Sequence, residues 1–474
     1  MPAADFSSNE QAVFERVAEV DGLPTKTLPE NLDSQYDLDM CVEWINNNSL
    51  GKVCLQFPDS LLPDSVEIAL RLEKRLNKNV YILGDSSYGS CCVDEVTAQH
   101  VNADGIVHFG HACLNPTSRL PVFHILPKQQ LDIRLFVAEF KQHFEMEEER
   151  ILFFYDVSYA HLAECIYNTL RSTYKNFTLT KLNCSSNTRY TDSGDVDSEI
   201  FLGRSYKLDA GYNINDYKAI FLGPNGKTLN NLALGMAVES WYHFDGSKIA
   251  HFTASDSIWL KRRRYLVEKL KDARVVGIVV ATLGIKNYLE SIAAVKNVLK
   301  RKNKKSYIVC VGKPNPAKLA NFPEIDAFVV IACPENLVYD SRDFFKPMLT
   351  PFEVEIAFNA SRAFSTQYCM DFRHILSTGL NYVPLETSSD SDVSLISGSI
   401  RNLTNDESPV NGMGKLVSKS AGTVAIGKGG ADYLLNRSWQ GLEQKLGQDS
   451  VKIAAKGRIG LPMAYENEPL KKET

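Results

Sequence analysis

Three times along the chain a short run of β-branched and aromatic residues leads into an amphipathic stretch and then into another such run. This alternation limits the fold more than any other feature. GKVCLQF (51–57) reads as a buried strand, PDSVEIALRLEKRLN as a helix with one apolar face and NVYILGD as a second strand. CCVDEVTAQHVN follows as a helix and DGIVHFG as a third strand. The pattern opens again at ILFFYDV (151–157) and passes through SYAHLAECIYNTLRSTYK to FTLTKLN, KAIFLG and the helix NLALGMAVES. It opens a third time at RVVGIVVATLG (274–284), with NYLESIAAVKNVLKRKN, KSYIVCVG and DAFVVIAC behind it. Strands alternating with helices build mostly parallel sheets covered on both faces. The sequence therefore predicts an α/β chain of three related parallel-sheet, Rossmann-like domains, residues 36–148, 149–265 and 266–385, around a central cleft. Residues 1–35 are polar and aperiodic and are expected to form an arm. Residues 386–474 begin Ser/Asp/Asn-rich and are expected to be a flexible segment and C-terminal extension, in which RSWQGLEQKLG reads as a helix.

A chain of 474 residues with 44% hydrophobic residues holds several cores. Its net charge of -5 and pI near 6.0 provide no basic field, so nucleic acid is not an expected partner. The opening MPAADFSSNEQAVFERVAEV has neither a basic n-region nor an apolar h-region, and no apolar run of about 18 residues occurs. No membrane partner is expected, and the localisation expected is cytoplasmic. Ten cysteines are too sparse for a disulfide scaffold, and thiols kept reduced in the cytosol serve packing, catalysis or metal binding.

Ligands of parallel sheets gather beyond the carboxyl ends of the strands, and four cysteines stand there. Cys91 and Cys92 follow NVYILGD and are expected to open the next helix, whose N–H groups favour a thiolate. Cys113 comes just after GIVHFGH, and Cys333 ends AFVVIA before Pro334. If two sheets face each other across a cleft, Cys91 or Cys92, Cys113 and Cys333 meet, and such a thiolate set suits zinc or an iron-sulfur cluster. No CxxC pair supports this by spacing alone. Cys41, Cys54, Cys165, Cys184, Cys310 and Cys369 read as packing residues. His108 and His111 read as packed rings or donors behind the ligands. LGPNGKT (222–228) lacks the spacing of a phosphate loop, and KRRR (261–264) reads as a solvated helix face.

The residues that carry chemistry also carry a resemblance. GDSSYGSCCVDEVTAQHVNADGIVHFGHACLNP (84–116) resembles the first cysteine motif of the diphthamide biosynthesis family, subunits 1 and 2 of its 2-(3-amino-3-carboxypropyl)histidine synthase. KPNPAKLANFPEIDAFVVIACPENL and FFKPMLTPFEVEIAF are similar to the family's third domain, and GRIGLPMAYENE to the C-terminus of its subunit 2. The resemblance implies three α/β domains, each giving one cysteine to a 4Fe-4S cluster in catalytic members. It implies a radical reaction in which the reduced cluster cleaves S-adenosylmethionine and a 3-amino-3-carboxypropyl group joins a histidine of elongation factor 2. Carried onto this chain, Cys91 or Cys92 matches the first ligand and Cys333 the third. EIFLGRSYKL carries Arg204 where the catalytic subunit has its second cysteine, and Cys113 is the candidate substitute. The resemblance thus implies an accessory redox subunit holding a 4Fe-4S cluster on the Cys91/Cys92 pair, Cys113 and Cys333. The alternative is a purely structural subunit that needs no cluster and stabilises its partner or docks elongation factor 2. The partners implied are subunit 1 in a heterodimer, elongation factor 2 as protein substrate, and a small iron-binding electron donor protein with its reductase. The resemblance also implies that the complex uses S-adenosylmethionine.

Overall fold

The computed structural model describes residues 26–84, 89–117, 119–183, 198–253, 258–312, 314–336, 344–362, 367–386, 392–398 and 400–401. Cys184 and RSWQGLEQKLG lie outside them.

Runs of Val, Ile, Leu and Phe with no polar alternation form strands buried on both faces, as in β1 (Val53–Gln56). With β2 (Val80–Ile82), β3 (Gly105–Phe109) and β4 (Val122–Ile125) it makes a parallel sheet in the order β2-β1-β3-β4. The helix Leu62–Leu76 turns Ile68, Leu72 and Leu76 into this core. Pro63 sits in its first turn, where a missing N–H costs nothing, and Asn77 ends it with φ 51.

The middle unit contains β5 (Ile151–Tyr155) and β6 (Phe177–Leu179). An antiparallel insert follows, built of β7 (Lys181–Leu182), β8 (Glu199–Phe201) and β9 (Arg204–Tyr206). The unit closes with β10 (Lys218–Leu222), β11 (Ser240–Phe244) and β12 (Ile249–Phe252). Its main sheet has the order β12-β11-β10-β5-β6, with only β12 antiparallel. In the third unit β13 (Val275–Val280), β14 (Lys305–Cys310), β15 (Ala327–Ile331) and β16 (Met348–Leu349) form a parallel sheet in the order β14-β13-β15-β16. Every unit thus repeats one topology, second-first-third-fourth. The strand order reverses between its first and third strands, and there a crevice opens beyond their carboxyl ends.

Three expectations are corrected. Cys91 and Cys92 do not open a helix: the helix spans Glu95–His100, and the Asp94 side chain caps it by accepting from Thr97 N. Two cysteines read as packing residues are exposed: Cys310, because β14 is an edge strand, and Cys165, on the solvent side of the helix Ala160–Arg171. Arg262 and Arg263 of the basic run are buried, since the helix Ile258–Asp272 lays Arg263 against the buried Glu353. Within the segment expected to be loose, β17 (Asp392–Val393) pairs with β18 (Ile400–Arg401), and Arg401 binds Glu268, Asp272 and Asp392. Among the described residues no helix is long and apolar enough to cross a membrane.

Candidate metal centre

All four cysteines beyond the strand ends converge. The sulfurs of Cys91, Cys92, Cys113 and Cys333 lie within 4.8 Å of one another, with Cys92 and Cys113 3.7 Å apart. Both members of the adjacent pair reach the group because they sit in a turn, where successive side chains need not diverge as on a helix. The Gln56 side chain clamps that turn, donating to Cys92 O at 2.8 Å and accepting from Asp94 N at 2.9 Å. Cys113 N donates to Cys91 O at 3.1 Å, which ties the two segments of the first unit together. Cys333, two residues beyond β15, arrives from the third unit.

The backbone after Cys113 is unusual. Leu114 is buried with φ 57, a conformation that branched side chains rarely adopt, and it sets Asn115 beside the thiols. Asn115 Nδ2 donates to Cys113 Sγ at 3.1 Å and to Cys333 Sγ at 3.3 Å. Arg373 donates to Asn115 Oδ1 at 2.9 Å and is itself held by Asp371.

Among the described residues the middle unit brings no cysteine to the centre. Its insert makes a hairpin whose two turn residues, Leu202 and Gly203, both have positive φ, as a tight type I′ turn requires. The hairpin packs on Leu114 and places Arg204 with Cys113 and Asn115 around one small cavity. Glu335, two residues past Cys333, accepts from Thr228 at 3.2 Å and lies 2.7 Å from His111 Nε2. One carboxylate of the third unit therefore touches both other units. Burial lowers the His111 pKa, but the Glu335 carboxylate outweighs it and carries the ring up to about 9. His108 packs on His124 and holds Ser90 O, so it lies behind the ligands and not among them. Beside Cys91 and this ion pair opens a cavity of about 710 Å³ that also touches Tyr36, Asp59, Asp156 and Lys227.

Four thiols at this distance, Cys91 and Cys333 buried and Cys92 and Cys113 half-buried, cannot all ionise. The Cys333, Cys91 and Cys92 thiols stabilise a thiolate on Cys113 and hold its pKa well below the ordinary thiol value. Burial, and then the hydrogen bond with Cys113, push Cys333 well up, while the hydrogen bond with Cys113 leads the rise at Cys92. A metal centre would draw the remaining protons off, because thiolates are the ligands. Four thiolates suit zinc or an iron-sulfur cluster. One tetrahedral ion at about 2.3 Å from each sulfur spaces them about 3.8 Å apart; a four-iron cube is wider and requires the thiolates to spread. The donor set fits either.

Asn115, Arg373, Asp371, Gln56 and Glu335 were not legible as site residues. Asn115 lies inside the HACLNP motif, two residues from a cysteine, which was the one available signal. Arg373 is reached only through the fold.

Fold and site together define a three-unit α/β protein with a largely enclosed four-cysteine centre at the meeting point of its sheets. The chain belongs to the family of diphthamide synthesis proteins, whose family model matches residues 57–369 and so spans all four cysteines. It is 40% identical over 485 residues to the 2-(3-amino-3-carboxypropyl)histidine synthase subunit 2 of Xenopus laevis, covering 99% of both chains. The protein of the same name from Danio rerio is 38% identical, with 98% of this chain and 97% of that one covered. The one from Homo sapiens is 34% identical, with 98% and 99% covered. Two crystal structures of Dph2 from Pyrococcus horikoshii, one of them with a 4Fe-4S cluster, share the fold. Their TM-scores are 0.52 and 0.53 at 20% and 19% identity, over 68% of this chain and 89% and 90% of theirs.

Proposed function

We propose that this chain is the accessory iron-sulfur subunit of a two-subunit 3-amino-3-carboxypropyl transferase acting on a histidine of elongation factor 2 in the first step of diphthamide synthesis. In this reading Cys91, Cys92, Cys113 and Cys333 together hold one 4Fe-4S cluster, and the partner is subunit 1, whose own cluster does the chemistry. The observation that carries it is the convergence of four thiols where catalytic members of the family use three. With one thiolate for each iron, the protein closes every coordination position and leaves none for S-adenosylmethionine. When bound, such a cluster stores and passes single electrons. Everything else falls to the chain: the cysteines exclude external ligands, Gln56 fixes the turn that carries two of them, and Glu335 with His111 and Thr228 locks the three units around them. The electron would come from a small iron-binding donor protein with its reductase. Arg204, standing where the resemblance has a cysteine, supports the loss of independent catalysis.

A second reading, a structural subunit around one tetrahedral zinc ion, is favoured by the 4.8 Å span of the sulfurs. The two readings part in a heterodimer carrying Cys92→Ser and Cys333→Ser in this chain. With dithionite, which reduces the partner's cluster directly, the assembled heterodimer should stay active. With the physiological donor its activity should nearly vanish. Unchanged activity with the physiological donor in a cluster-free, assembled heterodimer would reject the redox role.

A further inference from the structure

The thiols do not meet a neutral wall. One amide, that of Asn115, spans two ligands from different units, at 3.1 Å from Cys113 Sγ and 3.3 Å from Cys333 Sγ. Its orientation is dictated by chemistry. A guanidinium has only donors, so the Asn115 atom that Arg373 meets at 2.9 Å must be the carbonyl oxygen. The NH2 group is then left to face the sulfurs. Arg373 is fixed in turn: its Nε lies 2.9 and 3.0 Å from the two oxygens of Asp371, which is 2% exposed, and its backbone N donates to the same carboxylate. Asp371, Arg373, Asn115 and the two sulfurs form one chain of hydrogen bonds, each link polarising the next.

On the hairpin side stands a second group. Arg204 is 2% exposed, and among the described residues its guanidinium reaches only carbonyls, Leu202 O at 3.0 Å and Tyr155 O at 3.4 Å. Its Nε has no partner, and no carboxylate pairs with it among the described residues. A buried cation without a counter-charge is costly. Arg204 shares its small cavity with Cys113 and Asn115, and with Glu335, whose carboxylate is already taken up by His111 and Thr228.

We propose that Asn115, positioned by Arg373 and Asp371, and the buried cation of Arg204 set the reduction potential of the centre and hold it in the range where it accepts an electron. This rests on the iron-sulfur reading above. Reduction adds one electron to the cluster; no bond to the protein forms or breaks, and no proton moves. The reduced form carries one more negative charge, so N–H groups aimed at the sulfurs and a cation beside them favour it over the oxidised form. The middle unit thereby acts on the centre through charge after its cysteine has gone.

The test uses the full chain loaded anaerobically with iron and sulfide, dithionite as reductant, and an electron paramagnetic resonance titration against potential. Asn115→Leu keeps the branched shape and removes the donor. It should lower the ratio of reduced to oxidised cluster at a fixed potential about tenfold, the low end of what partners behind metal ligands contribute. For a one-electron couple that is about 59 mV. Arg204→Met should shift the potential in the same direction, and Arg373→Met, which frees the Asn115 amide to turn, by a smaller amount. Resonance Raman iron-sulfur stretching bands should move in Asn115→Leu and stay in place in Arg204→Met, because only the first removes a hydrogen bond to sulfur. An Arg204 that merely supports two carbonyls would change stability and leave the potential where it was. Variants that retain iron with wild-type potentials would overturn this inference alone. Should Asn115→Leu lose its iron, Arg373→Met and Arg204→Met decide by the same criterion. A wild-type chain that binds no iron overturns both this inference and the functional reading.

Discussion

Gly203 offers a direct way to ask whether the middle unit is seated on the ligand segment. It has φ +71, and a Cβ added there would stand 2.3 Å from Leu114 Cβ and 2.9 Å from Leu114 O. Neither atom is the free end of a side chain, so the Leu114 backbone has to move. Gly211 is the control, with φ +87 and nothing within 4 Å of an added Cβ. Gly211→Ala pays only for a left-handed alanine, about 1 kcal/mol. Gly203→Ala pays that and an overpacking cost of about 1–3 kcal/mol. In urea unfolding, Gly203→Ala should therefore be less stable than Gly211→Ala by about 1–3 kcal/mol. It should also bind less metal, because Leu114 lies between Cys113 and Asn115. Equal stability and equal metal content in the two variants would refute the seating of the β8–β9 hairpin on the centre.

Other outcomes follow from single contacts. Cys113→Ser or Cys333→Ser should remove most bound metal, whereas Cys165→Ser, on an exposed helix position, should not; metal analysis of the purified variants decides. Glu353→Gln leaves Arg263 buried without its carboxylate and should cost about 3–5 kcal/mol in urea unfolding. A loss under about 1 kcal/mol would contradict a dry pair. Burial, reinforced by His108, depresses the pKa of His124 to about 3. The ring is neutral in the folded chain while the unfolded one titrates near 6.5. Its contribution is complete above pH 6.5 and is lost as the pH falls toward 3, by about 2 kcal/mol at pH 5. His124→Leu should flatten that acid limb of the stability profile.

The alternation of buried strands and amphipathic helices made the three α/β units legible, because a 2-to-3.6 change of period survives without any knowledge of contacts. The strand-end rule then separated Cys91, Cys92, Cys113 and Cys333 from Cys54 and Cys41, which the sheets bury as expected. Period and position reach no further. Cys91 and Cys92 read as helical because CCVDEVTAQH carries a helical pattern, yet the Asp94 cap and the Gln56 clamp start the helix later. That shift is what lets both sulfurs face one point. Arg263 looked solvated because its partner Glu353 is distant in sequence. The insert of β7, β8 and β9 was read only in part, since a Leu-Gly turn lacks the Asn-Gly signature of a tight hairpin. Asn115 and Arg373, 258 residues apart, are joined only by the packing of the first unit on the third.

In the proposed function this chain's four thiolates hold one four-iron cluster closed to S-adenosylmethionine. Anaerobic loading of the isolated chain, with iron, sulfide and zinc counted and the dithionite-reduced protein measured by electron paramagnetic resonance with and without S-adenosylmethionine, tests it most directly. About four irons and four sulfides per chain are expected, with a signal that S-adenosylmethionine leaves unchanged. One zinc per chain without iron, or a signal altered by S-adenosylmethionine, would contradict it.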